Sequence, residues 1–274
     1  PLPAEARFWI ARALGLWRRG WTSLRTRGLA ASWASLLRHF RRNPIPAQAL
    51  YMPPATPFAP FALATSSTPR ASIVIPVFGA FAHTLACLRA IAAHPPVAAF
   101  EVIVVDDASP DDSLANLRAI GGIRVHARAA NGGFIAACND GAALARGDVL
   151  VFLNNDTVPQ PGWLDALLDT FDAQPDAGLV GAKLLYPDGR LQEAGGVVFA
   201  DGSGWNYGRF DDPGDCRYAH LRDADYVSGA AIAIPRTLFE RLGGFDTRYA
   251  PAYYEDTDLA FAVRDAGLRV LVQP

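Results

Sequence analysis

Four short apolar runs, each stopped by a turn-forming or acidic residue and separated by helix-length segments, constrain this chain most. They are Ser72-Ile73-Val74-Ile75-Pro76-Val77, Glu101-Val102-Ile103-Val104-Val105, Ile123-Arg124-Val125 and Asp148-Val149-Leu150-Val151-Phe152-Leu153. Residues 82–93, 111–119 and 133–145 lie between them with helical spacing. Buried strands alternating with helices over short loops predict an α/β fold with a parallel, doubly wound sheet. Ligands in such sheets sit at the carboxyl ends of the strands. Here those ends carry Pro76, Asp106-Asp107 and Asn154-Asn155-Asp156, which gather on one edge.

The second half is less regular. The spacing predicts helices over 163–173 and 236–242, a strand over 226–234 carrying Ser228-Gly229-Ala230, and an amphipathic helix within 253–266 that opens on acidic residues. Residues 186–225, rich in Gly, Asp and aromatics, read as loops with short strands. The chain stops at Pro274, just after the strand-like 268–272, and reads as a piece of something longer.

Charge divides the chain. The net charge is −2, yet residues 1–70 hold ten Arg and one Glu for +9, and the remainder sums to −11. Within 5–42, four of the six Trp recur at helical spacing among arginines, which predicts a basic aromatic helical arm (1–42) suited to an anionic membrane surface or a partner. Its apolar stripe packing on the main domain is the other reading. Seven prolines in 43–70 make that stretch a linker or an extended strap. The acidic main domain, 71–274, gives no support to nucleic-acid binding. Cys87, Cys138 and Cys216 form no CxxC pair, so a reducing compartment is expected. The five histidines show no metal-ligand spacing.

Three clusters carry chemistry. Asp106-Asp107 either accepts hydrogen bonds from a ribose or base, or caps the next helix with Ser109. Asn154-Asn155-Asp156 either holds a divalent cation and diphosphate through oxygen ligands or forms an ordinary Asn/Asp turn. Glu255-Asp256-Thr257-Asp258 either supplies a carboxylate for proton transfer or complements a helix N-terminus.

Taken in order, these clusters, with Asn131-Gly132-Gly133-Phe134, Cys138-Asn139-Asp140-Gly141, Ala145-Arg146-Gly147-Asp148 and Gly243-Gly244-Phe245-Asp246, resemble the family 2 glycosyltransferases of GT-A fold. The likeness spans 71–272 and is nearest to bacterial members that build surface polysaccharides, including rhamnosyltransferase-like ones. It implies that Pro76 and Val77 line a nucleobase pocket, and that Asp106 and Asp107 bind base and ribose. Asn131, Gly132 and Asn139 would face the nucleotide. Asn154 and Asn155 would join them, and Asp156 would hold the metal, Mn²⁺ or Mg²⁺. Gly229, Gly243, Gly244 and Trp205 would shape the sugar and acceptor pocket. Asp256, with Glu255 beside it, would be the base of an inverting single displacement. Three departures stand out. The first acid of the family's Asp-x-Asp is Asn154 here; the sequence stops before the position after the last strand where many members carry a His or other polar residue near the diphosphate; and, more mildly, Cys138 stands where Arg is common.

The implied partners are a nucleotide-diphosphate sugar and a glycan or lipid-linked acceptor. The implied location is cytoplasmic, at the inner face of the membrane if the arm binds there. A dehydrogenase would need G-x-G-x-x-G after the first strand, and Pro76-Val77-Phe78-Gly79 does not supply it. A non-catalytic sugar-nucleotide-binding or scaffolding module is the remaining rival, and Asn154 is the feature that favours it.

Overall fold

The structure, a computed structural model, describes residues 50–274. The basic arm and the start of the proline-rich stretch lie outside the described residues.

The first half builds β1 (Ala71–Val77), α1 (Phe81–Ala93), β2 (Phe100–Asp106), α2 (Ser113–Arg118), β3 (Ile123–Ala127), α3 (Gly133–Ala143) and β4 (Val149–Leu153). These four strands run parallel, in the order β4-β1-β2-β3. Val77 lies opposite Asp106, so both chain reversals open onto the same sheet edge. β1, β2 and β4 are buried on both faces, as β-branched runs without polar alternation require, while β3 at the sheet edge is half-buried. Ile73, Ile75, Val102, Val104 and Val151 pack with Leu88, Ile91 and Leu117 on one side. Val74, Ile103, Val105 and Phe152 pack with Ile135 and Phe245 on the other. Successive side chains of a strand point to opposite faces, which divides the core into these two layers.

The second half adds α4 (Trp163–Ala173), β5 (Ala177–Ala182), the short strands β6 (Leu184–Leu185), β7 (Leu191–Glu193), β8 (Gly196–Val198), β9 (Gly204–Asn206) and β10 (Arg222–Asp223), then β11 (Ala231–Pro235), α5 (Arg236–Leu242), α6 (Glu255–Asp265) and β12 (Arg269–Gln273). The full sheet order is β10-β12-β5-β11-β4-β1-β2-β3. β11 enters between β4 and β5 antiparallel to both, with Ala231 opposite Leu153. A strand inserted backwards begins where its neighbour ends. The residues leading into β11 are therefore delivered to the carboxyl edge of β4.

Two of the boundaries that differ from the sequence expectation bear on the site. β11 begins at Ala231 rather than near Tyr226, because Ser228 and Gly229 give their N–H groups to carboxylates instead of a sheet ladder. α6 begins at Glu255, because Tyr253 and Tyr254 adopt positive φ (82° and 69°), a conformation a helix cannot contain.

Residues 50–70 run as a strap from Gln160, past α1, to the turn after α2. The Arg89 guanidinium donates to the carbonyls of Pro54, Thr56 and Pro57 at 2.9–3.2 Å. Gln160 accepts from the Tyr51 amide (2.8 Å) and donates to its carbonyl (3.1 Å). Leu63 and Gly121 join by a backbone hydrogen bond of 3.0 Å. Next to it, Gly122 at φ +75° passes so near the strap that a Cβ would sit 2.1 Å from the Leu63 carbonyl oxygen. Among the described residues, no helix is long and apolar enough to cross a membrane.

Candidate active site

The ends of β1 and β2 form the first wall. Pro76 and Val77 are buried within the sheet, and Phe78, the next residue, stands 55% exposed at the mouth. Asp106 is 1% exposed. Its Oδ2 accepts from the Ser109 amide at 3.3 Å, while its Oδ1 is buried without a partner. An unsatisfied buried acceptor costs about 1–3 kcal/mol, so this oxygen is a natural receptor for a ligand N–H or O–H.

Asp107 does different work. Its carboxylate accepts from the amides of Gly132 (2.9 Å) and Gly133 (2.8 Å) and from the Arg128 guanidinium. Arg128 also donates to Asp140 at 2.7 Å. Asp107 thus ties the end of β2 to the turn that starts α3, and it brings Asn131 and Gly132 to the same edge. Gly133, at φ +82°, lets the 251 loop approach: a Cβ there would lie 2.8 Å from the Pro251 carbonyl oxygen.

The end of β4 is the second wall. The Asn154 amide donates to the Ala230 carbonyl at 2.9 Å, and its side-chain Oδ1 is buried without a partner. Asn155 Nδ2 donates to Thr84 Oγ1 at 3.0 Å, fixing the turn against α1. Asp156 is exposed. Beneath it Cys87 is fully buried, and burial, with a smaller push from the Asp156 charge, raises its thiol to about 12, which leaves it inert.

The third wall is the start of α6. Asp256 Oδ2 accepts from the Gly229 amide at 2.9 Å, and its Oδ1 accepts from the Thr257 amide at 2.7 Å. Glu255 is 6% exposed with Oε2 buried and unpartnered; burial, then the Asp256 charge, raises its pKa above the ordinary carboxylate value. Asp258 instead accepts from the Tyr249 hydroxyl at 3.2 Å, and so holds the loop before the helix.

Sequence reasoning missed Glu193 on β7. It is 2% exposed, and its Oε1 accepts from the Ser228 amide at 2.9 Å. Burial, with a smaller contribution from the Asp256 charge, pushes it up to about 7. The available signal was alternation: Leu191 and Glu193 point the same way, into the core. Three successive residues therefore join the walls. Ser228 holds Glu193, Gly229 holds Asp256 and Ala230 holds Asn154.

Other expected residues lie elsewhere or serve as scaffold. Asn139 does not face the nucleotide side with a free amide. Its Nδ2 donates to the Phe245 carbonyl (2.9 Å) and its Oδ1 accepts from the Phe245 amide (3.0 Å). Gly243 and Gly244, at φ +87° and +79°, close the C-terminus of α5 by donating to Glu240 and Phe239. They line a cavity of about 240 Å³ with Asn139, Phe245 and Asp258. Trp205 lies on β9, partly exposed, opposite Val197. A second cavity, about 500 Å³ beside β10 and β12, contains none of the residues that the sequence singled out.

No group of three or more His, Cys, Asp or Glu is placed to hold a metal among the described residues. What the edge does offer is one exposed carboxylate, Asp156, and the unpartnered Asn154 Oδ1. Hard divalent cations accept such oxygen donors, commonly one or two carboxylates completed by substrate phosphates. The donor set fits a cation that arrives with a diphosphate.

The chain matches the family model described as Glycosyl transferase family 2 over residues 72–226. The O-antigen biosynthesis protein RfbC of Myxococcus xanthus is 38% identical over 139 residues, 48% of this chain and 11% of that protein. An N-acetylglucosaminyl-diphospho-decaprenol L-rhamnosyltransferase of Mycobacterium tuberculosis is 30% identical over 135 residues, 44% of this chain and 42% of that protein. The chain spans less than half the length of either relative. In fold it is similar to GalNAc-T7, solved with UDP, GalNAc and Mn²⁺, with a TM-score of 0.61 and 18% identity over 76% of this chain and 43% of that one.

Proposed function

The chain belongs to glycosyl transferase family 2, and on that premise we propose that it transfers a hexosyl or deoxyhexosyl unit from a nucleotide-diphosphate sugar to a hydroxyl of a glycan or lipid-linked acceptor, inverting the anomeric centre. The observation that carries this reading is the backbone link Asn154–Ala230–Gly229–Asp256. It sets a carboxylate against the strand edge on which the diphosphate residues lie.

Asp106 Oδ1 accepts an N–H or O–H from the base or ribose, and the exposed Phe78 follows β1 at the same sheet edge. The turn organised by Asp107, with Asn131 and Gly132, shapes the nucleotide side. Asp156, with Asn154, would hold a divalent cation, which when bound neutralises charge on the departing diphosphate. Asp256 takes the acceptor hydroxyl's proton as that oxygen attacks from the face opposite the leaving group. Glu255 beside it, with Oε2 unpartnered, is assigned to acceptor contact. The M. tuberculosis relative's printed name supports a lipid-linked acceptor, and that of the M. xanthus relative, an O-antigen biosynthesis protein, supports polysaccharide assembly; the setting proposed with them is the cytoplasmic side of the membrane.

Titration calorimetry with UDP, dTDP and GDP in the presence of Mn²⁺, followed by transfer assays with sugar donors of the nucleotide that binds, tests the reading. Binding by none of the three would remove it. The single acid of Asn154-Asn155-Asp156 favours one second reading, a non-catalytic sugar-nucleotide module. Nucleotide binding with neither donor hydrolysis nor transfer would mark that outcome.

A further inference from the structure

We infer that Glu193 is a positioning residue: by holding the Ser228 amide it fixes the Ser228–Ala230 turn, and the turn fixes the carboxylate of Asp256. This rests on the reading of Asp256 as the base.

A carboxyl on β7 is costly where it sits. Glu193 shares its surroundings with Leu191, Ala194, Tyr218 and Tyr226, all buried. For stability alone an apolar side chain would serve as well or better. The carboxyl's hydrogen bond goes to Ser228, the first residue of the turn. The next residue, Gly229, donates to Asp256 and the one after, Ala230, accepts from Asn154. Three contiguous residues thus anchor one group apiece, and the backbone dihedrals of Ser228, Gly229 and Ala230 link the three anchors.

Packing does not fix the turn by itself. A Cβ at Gly229 would meet Asp256 and Phe134 at 3.6 Å, which is ordinary contact and leaves room for the turn to shift. The other bonds at its start are long, with Ala230 donating to Ser228 Oγ and Ala231 to the Ser228 carbonyl, both at 3.3 Å. Without the Glu193 acceptor, the Ser228 amide must seek another partner, and the Gly229 amide turns with it. A displacement of about 1 Å at a reacting group costs about 10²-fold in rate.

The test uses the full chain and two readouts. The first is hydrogen exchange at the Gly229 amide, which needs no ligand. The second is kcat and donor KM in the transfer assay above. Glu193→Gln keeps an oxygen acceptor at the same place and should leave Gly229 exchange and kcat within about threefold of the wild type. Glu193→Ala should speed Gly229 exchange at least tenfold and lower kcat by about 10–100-fold with donor KM unchanged, while amides of β1 keep their protection. In an Asp256→Asn background, Glu193→Ala should cost no further activity, because the two act as one unit. If Glu193→Ala does not fold, Glu193→Asp carries the test, since a shorter side chain withdraws the acceptor and should give the same pattern in weaker form. Wild-type Gly229 exchange in the Ala or Asp variant, equal losses in donor affinity and kcat, or additive losses with Asp256→Asn would each overturn the inference. Undiminished transfer by Asp256→Asn alone would instead overturn the assignment of the base, and Gly229 exchange would still decide whether Glu193 holds the turn.

Discussion

Replacing Glu193 by Gln should flatten the pH dependence of stability between about pH 4.5 and 8. The carboxyl goes from its ordinary value of 4.5 to about 7 on folding, chiefly because burial disfavours the charged form. Asp256 on α6 adds its charge, and Tyr226 and the Ser228 amide face the same carboxyl from the segment before β11. The folded protein therefore holds this proton more tightly than the unfolded chain. Stability from this group is complete below pH 4.5, falls as pH rises and is lost above about 7. At about 1.4 kcal/mol per pH unit the gap corresponds to about 3 kcal/mol. Glutamine does not titrate. Its amide needs a new acceptor, so the variant starts from a constant offset of about 1–3 kcal/mol, but the slope is independent of that offset. Glu255 is also raised by burial, yet it is present in both proteins and cancels in the difference. Urea unfolding from pH 4.5 to 8 measures the outcome: the free energy of the variant relative to wild type should climb by about 3 kcal/mol across the range. Curves that stay parallel within about 1 kcal/mol would refute the reasoning.

Three further outcomes are expected. Asp156→Asn should abolish the Mn²⁺-dependent part of nucleotide affinity, with Asn154→Ala retaining much of it; equal Mn²⁺ stimulation in wild type and Asp156→Asn by calorimetry would contradict the cation assignment. Glu101 has the opposite sign from Glu193. Burial pushes it up, but hydrogen bonds from Arg146, Ser72 and Arg124 outweigh burial and hold it at about 2, so its stabilisation is present above pH 4.5 and lost as pH falls toward 2. Glu101→Gln should cost about 3 kcal/mol at pH 7, seen as a lower urea midpoint that converges with wild type in acid. Liposome co-sedimentation should pellet the full chain with anionic vesicles but not a chain lacking residues 1–49, and lipid-independent behaviour of both would assign the basic stretch to another role.

Much of the fold was legible where one signal dominated. Trp163–Ala173 and Arg236–Leu242 match their expected bounds, because Pro-Gly opens the first and Gly-Gly closes the second. The parallel core followed from β-branched runs too apolar for any surface strand. The backward entry of β11 was not legible, since a short apolar run carries no sign of its direction. Its consequence, a turn at Ser228–Ala230 in place of a strand, depends on carboxylates about 30 residues away on either side. Of the site, the acids at strand ends could be placed by topology. Asn139 could not, because whether an amide meets a ligand or a backbone loop is decided by what packs over it, here Phe245. Glu193 sits in a strand of three residues, so its alternation with Leu191 was the one signal and too short a run to stand out among loop residues.

The strap also has a mechanical meaning. A pull on the chain upstream of residue 50 meets the two-point clasp between Tyr51 and Gln160 first, and then the three carbonyls gathered by Arg89. Gln160 sits on the same short connection as Asp156 and Thr157. Tension along the upstream chain is thus loaded onto the connection that carries Asp156 before it reaches any strand of the sheet, and the clasp is the link whose strength sets how much of that load the connection feels.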